Sequence, residues 1–185
     1  NGFTISSDGL QIESVSNCNR QSNAYHVQSS DFVEVSILGR GSSSVVYKTW
    51  DLRNGRFIAL KCISAFEHDK RKQILNELKL LTNNSCAEII EFYGSYFYSG
   101  QIMLCLEYFD IGSLQELIEI NGRIPVHIIS FIIKYVIKAI HYLHTEKQII
   151  YRDIKPSNIL IHSNAMIKLS DFGIFHQYDV PTDTD

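Results

Sequence analysis

From Tyr151 the chain reads Tyr-Arg-Asp-Ile-Lys-Pro-Ser-Asn-Ile-Leu-Ile, which sets a carboxylate (Asp153), an ammonium (Lys155) and an amide (Asn158) within six residues and then runs into an apolar strand signal. A loop of this kind can hold a carboxylate beside a hydroxyl nucleophile, an ammonium beside a phosphate and an amide oxygen beside Mg²⁺. Phosphoryl transfer uses those three groups. Further along comes Ser170-Asp171-Phe172-Gly173. The residues between read as a hairpin, with strands at Ile159 to Ile161 and Met166 to Leu169 about the turn His162-Ser163-Asn164. That hairpin returns Asp171 toward Asn158, so that two oxygen ligands for Mg²⁺ face one space.

Together the two stretches resemble the H-R-D-L-x-x-x-N and D-F-G signatures of the eukaryotic protein kinases, with Tyr151 standing where that family has His. The resemblance implies a role for each residue. Asp153 would orient the substrate hydroxyl and accept its proton, Lys155 would neutralise the transferring phosphoryl group, and Asn158 and Asp171 would hold Mg²⁺. ATP and Mg²⁺ are the cofactors so implied.

The elements that must position these groups lie upstream. Val33, Val35 and Ile37 alternate with Glu34 and Ser36 as in a strand, which ends at Gly39-Arg40-Gly41-Ser42-Ser43-Ser44-Val45-Val46. Gly39 and Gly41 let a backbone approach phosphate oxygens with no Cβ in the way, although an ordinary hairpin turn reads the same in isolation. The third glycine of the kinase pattern is Ser44 here. Next, Phe57 to Ile63 is apolar on both faces except for Lys61, and strand period puts Ala59 on the same face as Lys61. A lysine snorkelling out at a strand end is the plainer reading. Against it, Asp69 to Leu81 has helical spacing, with Glu77 inside the apolar stripe of Ile74, Leu78 and Leu81, and a carboxylate there needs a partner. Lys61 with Glu77 matches the strand-lysine and helix-glutamate ion pair of kinases.

Two further strands, Ile89 to Tyr98 and Gln101 to Tyr108, flank Ser99-Gly100 and complete an expected five-stranded antiparallel sheet. Beyond them Gly112-Ser113-Leu114 opens a short helix, and Pro125 is expected as the first residue of a long one running to about His144. That helix is apolar nearly all round, which predicts burial on several sides; its His and Lys residues mark it as a core helix rather than a membrane span. By resemblance Leu106 takes the gatekeeper position, the backbone at Glu107 and Phe109 takes the adenine-binding hinge, and Val46, Ala59 and Leu160 form the apolar slot for adenine.

The fold so implied is α+β: a bilobal kinase fold with a flexible leader at 1–30, an N-lobe at 31–109 and a partial C-lobe at 110–185. The twelve residues after Gly173 contain no Ala-Pro-Glu anchor, so the chain reads as a fragment that stops within its activation segment, near Thr182 and Thr184. A net charge of -3 and a pI near 6.2 give no electrostatic case for nucleic acid or membrane as partners. Cys18, Cys62, Cys86 and Cys105 show no metal-knuckle spacing and read as reduced thiols of a cytoplasmic protein. In longer wording, at Ile58 to Lys61, Asp69 to Leu81, Leu106 to Leu114 and Tyr151 to Ile161, the chain resembles the MAP kinase kinases. That resemblance implies a dual-specificity kinase whose protein substrate is a MAP kinase and which has an upstream activating kinase. A pseudokinase or regulatory nucleotide-binding module is the alternative, and Tyr151 is the residue that favours it.

Overall fold

The computed structural model describes residues 2–13, 27–41, 44–65 and 68–178, in which two compact units form, Asn1–Leu75 with Glu91–Tyr108 and Asn76–Ile90 with Phe109–Asp185.

The first unit opens with a hairpin of β1 (Gly2–Ser6) and β2 (Gly9–Glu13), paired antiparallel from Gly2 opposite Glu13 to Ser6 opposite Gly9. Within the leader expected at 1–30, these two segments thus pair across a tight turn. The main sheet follows: β3 (Phe32–Arg40), β4 (Ser44–Asp51), β5 (Arg56–Ser64), β6 (Phe92–Tyr98) and β7 (Gln101–Glu107). Its order is β3-β4-β5-β7-β6 with every neighbour antiparallel, so the expected five-stranded sheet is present. Local chemistry sets two of its turns. Between β6 and β7, Ser99 and Gly100 both take positive φ (48° and 78°), which matches the twist of the flanking strands. Between β4 and β5, the buried Asp51 carboxylate accepts from the backbone N–H of Arg53 (3.0 Å) and Asn54 (3.2 Å) and from Asn54 Nδ2 (2.7 Å).

One face of this sheet is core. Ile58, Leu60, Cys62, Tyr96, Met103 and Cys105 are buried together, and Phe32 stacks on Tyr96 at 5.7 Å. Burial pushes the Cys62 thiol up to about 12, and Cys62, Cys86 and Cys105 are all free thiols; Cys18 lies outside the described residues. The alternation in β3 does not earn burial: Val33, Val35 and Ile37 are exposed. That strand is the sheet edge, paired with β4 alone, and register shifts at Glu34/Ser36 and Ile37/Gly39 break its alternation.

The division between units falls within α1 (His68–Thr82). Residues Asn76–Ile90 go with the second unit for a plain reason. Ile90 N–H donates to Leu169 O (2.9 Å), Leu169 N–H to Glu88 O (2.8 Å) and Lys147 Nζ to Asn83 O (2.6 Å), and Lys138 pairs with Glu88 (3.2 Å). Ile89 and Ile90, read from sequence as the start of a sheet strand, thus belong to this other framework, and β6 begins at Phe92.

In the second unit, β8 (Gly112–Ser113), β10 (Ile159–Ile161) and β11 (Ile167–Leu169) form one small antiparallel sheet, and β9 (Ile149–Ile150) pairs with β12 (His176–Gln177). The helix α2 (Leu114–Asn121) starts on a capping box: Glu116 N–H donates to Ser113 Oγ, and Ser113 N–H donates to Glu116 Oε2 at 2.6 Å. Pro125 is the N-cap of α3 (Val126–Thr145), so the helix begins one residue after the Pro125 expected as its first. That 20-residue helix is long and apolar enough to cross a membrane, yet it carries a buried stripe, Ile132, Val136, Ala139 and Leu143, with the spacing of one helix face. Its composition predicts burial on several sides; within these 185 residues Val126, Ile128, Phe131, Ile133 and Ile137 are exposed. Strands β9 and β11 pack on α3, and the segment before β6 meets it through Lys138 with Glu88 and Tyr142 with Ser85.

Candidate active site

In the first unit the register does the positioning. Directly opposed residues of antiparallel strands share a face. Val46 lies opposite Lys61 and Lys48 opposite Ala59 across β4 and β5, while Ala59 lies opposite Leu106 and Lys61 opposite Leu104 across β5 and β7. Val46, Ala59, Lys61 and Leu106 therefore stand on one side of the sheet, and the core residues Leu60, Cys62 and Cys105 stand on the other. Ala59 and Leu106 are buried. A small residue beside Lys61 leaves a flat apolar floor with an ammonium at one end. Lys48 shares the face, with its ammonium 4.2 Å from the Phe57 ring centroid and 4.7 Å from that of Tyr108. At the glycine turn, Gly41 N–H donates to Ser44 O (2.8 Å), and a Cβ on Gly41 would meet Ser44 Oγ. Gly39 sits in β3 opposite Val46, where an added Cβ would meet open space. Glu107 donates its N–H to Glu91 O (3.0 Å).

The second unit carries the charged groups. Pro156 opens a single 3-10 turn, Pro156–Asn158, closed by Asn158 N–H donating to Lys155 O (3.0 Å). That turn aims Asn158 back into the loop, where it is buried. Its Nδ2 donates to Asp153 O (3.0 Å), to Asp153 Oδ2 (2.9 Å) and to the Tyr151 hydroxyl (3.2 Å). Lys155 Nζ meets the same Asp153 Oδ2 at 2.7 Å, so both neighbours hold one carboxylate oxygen. Arg152 takes a positive φ of 66°, which turns the chain between the buried Tyr151 ring and Asp153.

The hairpin behaves as its sequence predicts. In β10, Ile159 and Ile161 are buried while Leu160 between them faces the other way, and Leu160 is paired with Lys168 and Ser113. Leaving β11, Ser170 returns to Asn158: its N–H donates to Asn158 O at 2.9 Å and its Oγ at 3.2 Å. Asp171 follows with φ 60°, and Phe172 is fully buried with its ring centroid 5.4 Å from that of Tyr151. The Tyr151 hydroxyl donates to Ser170 O (2.6 Å), and burial pushes its phenol pKa up, so it stays a donor. Asp110, past the end of β7, accepts from Ser163 N–H (2.8 Å) and Oγ (2.6 Å) in the β10–β11 turn; those bonds hold its carboxyl below the usual carboxylate range. Phe109 is buried, edge-on to His162 at 6.0 Å.

Each predicted residue thus falls on a framework of its own unit. Asp153, Lys155, Asn158 and Asp171 are gathered by the loop and hairpin, and Val46, Ala59, Lys61 and Leu106 by the sheet. Glu77 is buried on α1 in the second unit, and Lys61 is on β5 in the first. Sequence reasoning missed Ser170 and Asp110 altogether. A serine just before Asp-Phe-Gly and an aspartate after the last strand of a sheet are common enough that only their partners single them out.

The donor set suits Mg²⁺, a hard cation that takes oxygen ligands from one or two protein groups and completes its shell with water and phosphate oxygens. Asn158 commits only Nδ2 to hydrogen bonds, which leaves Oδ1 for such use. Among the described residues no group of three His, Cys, Asp or Glu could hold a metal ion by itself. A cation here would need Asn158, Asp171 and the ligand's own oxygens.

The model of the protein kinase domain matches residues 32–184, and the chain belongs to that family. Its relatives sharpen the resemblance. It is 38% identical over 140 residues to mitogen-activated protein kinase kinase 3 of Arabidopsis thaliana, covering 74% of this chain and 27% of that protein. It is 39% identical over 145 residues to the mitogen-activated protein kinase kinase SIPKK of Nicotiana tabacum, covering 78% of this chain and 41% of the relative. With dual specificity mitogen-activated protein kinase kinase 1 of Dictyostelium discoideum it shares 34% identity over 180 residues, 95% of this chain and 27% of the relative. The chain spans less than half the length of these relatives.

Proposed function

We propose that the protein carrying this chain is an ATP- and Mg²⁺-dependent dual-specificity protein kinase. It transfers the γ-phosphoryl group to Ser/Thr and Tyr hydroxyls of a MAP kinase, and an upstream kinase activates it in turn. The observation that carries this reading is the state of Asp153. One of its carboxylate oxygens is fixed by Lys155 and Asn158, and the other is left to accept a proton from an incoming hydroxyl. Lys155 lies where its charge can also serve a phosphoryl group in transfer, and Asn158 and Asp171 are the oxygen ligands for Mg²⁺. Bound ATP with Mg²⁺ would supply the electrophilic phosphorus and neutralise its oxygens. On the first unit Lys61 aligns phosphates, Val46, Ala59 and Leu106 line one side of the base site and the Glu107 backbone hydrogen-bonds the base; on the second, Glu77, Phe109 and Leu160 occupy the positions that the family resemblance assigns them. Gly39 and Gly41 leave room for phosphate oxygens. The substrate class follows the relatives' names, and a cytoplasmic setting is part of the same proposal. Thr182 and Thr184, in the region where activation is expected, lie outside the described residues.

The test is Asp153→Asn in the full-length protein, which keeps the shape of the side chain and removes the base. Turnover on a MAP kinase substrate should fall by roughly two orders of magnitude or more, the scale of general base catalysis, while Mg²⁺-nucleotide binding is retained. A full-length wild-type protein that binds nucleotide but transfers nothing would instead favour a pseudokinase.

A further inference from the structure

The Tyr151 hydroxyl sits between the two residues that lead to the oxygen ligands. It donates to Ser170 O (2.6 Å), one residue before Asp171, and accepts from Asn158 Nδ2 (3.2 Å). An amide nitrogen has two hydrogens, and an amide can rotate to exchange its oxygen and nitrogen when its partners allow. Here they do not. Asp153 O and Asp153 Oδ2 are acceptors only, and the Tyr151 hydroxyl has spent its proton on Ser170 O. All three contacts demand nitrogen at that position, which fixes Oδ1 on the opposite side. Asp153 serves one hydrogen from its two oxygens, and Tyr151 serves the other. Asn158 is only 4% exposed, so a hydrogen that lost its acceptor would find no water to replace it.

We propose that Tyr151 is a positioning residue for the divalent cation: its hydroxyl locks the Asn158 amide with Oδ1 presented as a ligand and ties that amide to the backbone leading into Asp171. Its ring, stacked on Phe172, holds the hydroxyl in place. The inference rests on the nucleotide and Mg²⁺ reading above and adds to it a residue outside the ligand set. It also turns this departure from the family signature into a device rather than a defect.

The experiment uses the full-length protein as wild type, Tyr151→Phe and Tyr151→His, with ADP as the probe. ADP affinity is measured by calorimetry across a Mg²⁺ titration and again in chelator. Tyr151→Phe keeps the ring and loses the hydroxyl. Its Mg²⁺ concentration for half-maximal ADP binding should rise about fivefold or more, the scale of one lost buried hydrogen bond, while its affinity in chelator is unchanged. Tyr151→His, which offers a ring N–H and a ring nitrogen, should recover part of the loss. In an Asn158→Ala background the Tyr151→Phe change should no longer alter the Mg²⁺ requirement. An unchanged Mg²⁺ requirement in Tyr151→Phe overturns the proposal while leaving the kinase reading intact. So does a Tyr151→Phe protein too unstable to bind ADP at any Mg²⁺ concentration, because the hydroxyl is then a structural group. Wild type whose ADP binding ignores Mg²⁺ overturns both.

Discussion

Asn158 shows how little a residue's type says until its partners are known. An asparagine six residues into a polar loop is unremarkable in sequence; buried, with one nitrogen facing three oxygens, it has a single usable face. Asp153 gains its character in the same way, from neighbours that occupy one oxygen and leave the other. A purely structural carboxylate behaves differently. Asp51 is buried at the turn between β4 and β5, takes three hydrogen bonds from Arg53 and Asn54, and has Arg56 at 3.7 Å. Asp51→Ala leaves those donors without an acceptor at a tight turn, so it should destabilise the first unit by about 1–3 kcal/mol. Urea denaturation followed by tryptophan fluorescence would report it through Trp50, next to Asp51 in β4. A loss below about 0.5 kcal/mol would mean that the turn holds without the carboxylate.

At the scale of elements, α3 illustrates how burial follows the surfaces a helix meets. Twenty residues that are apolar on most sides bury only the stripe that finds a partner, because transfer from water is gained per area actually covered. Two isoleucines on the same helix separate the effects. Ile132 is 2% exposed and Ile137 is 59% exposed. Ile132→Ala in the 185-residue chain should cost about 2–4 kcal/mol, the range for a buried isoleucine cut to alanine, and Ile137→Ala should stay within about 0.5 kcal/mol. Chemical denaturation of the two variants decides it, and equal losses would mean that α3 packs on a different face. The hairpin β10–β11 works on simpler terms. Its buried isoleucines fix which way Leu160 faces, and its exit residue Ser170 is bonded back to the loop.

For the molecule as a whole, alkaline stability carries a readable signature. The Cys62 thiol sits in the sheet core with its pKa raised from 9.0 to about 12 by burial first and by the Glu34 charge second. The unfolded chain loses that proton near its ordinary value, and the folded chain keeps it to much higher pH. The stabilisation is therefore fully present below about pH 9 and is lost progressively between about pH 9 and 12. Cys62→Ala should flatten the fall of the melting temperature over that window relative to wild type, although it starts lower because a buried side chain is truncated. Parallel slopes for the two proteins would contradict the burial of an ionisable thiol there.

The sequence by itself determined the chemistry and most of the elements. Asp153, Lys155, Asn158 and Asp171 are recognisable because their spacing is short and local, and the strands, the Ser99-Gly100 turn and the Ser113 cap follow from period and turn chemistry that neighbours in sequence already contain. Other features depended on contacts between residues far apart in the chain. The pairing of Gly2–Ser6 with Gly9–Glu13, the exposure of Val33, Val35 and Ile37 at a bulged edge, the transfer of Ile89 and Ile90 to the second unit and the buried stripe of α3 were decided by which surface each segment met. Tyr151 belongs to both groups. Its substitution for histidine is visible in one letter, but the hydrogen bonds that give the hydroxyl its place join residues 7 and 19 positions away, and only the folded chain brings those oxygens and that nitrogen within reach.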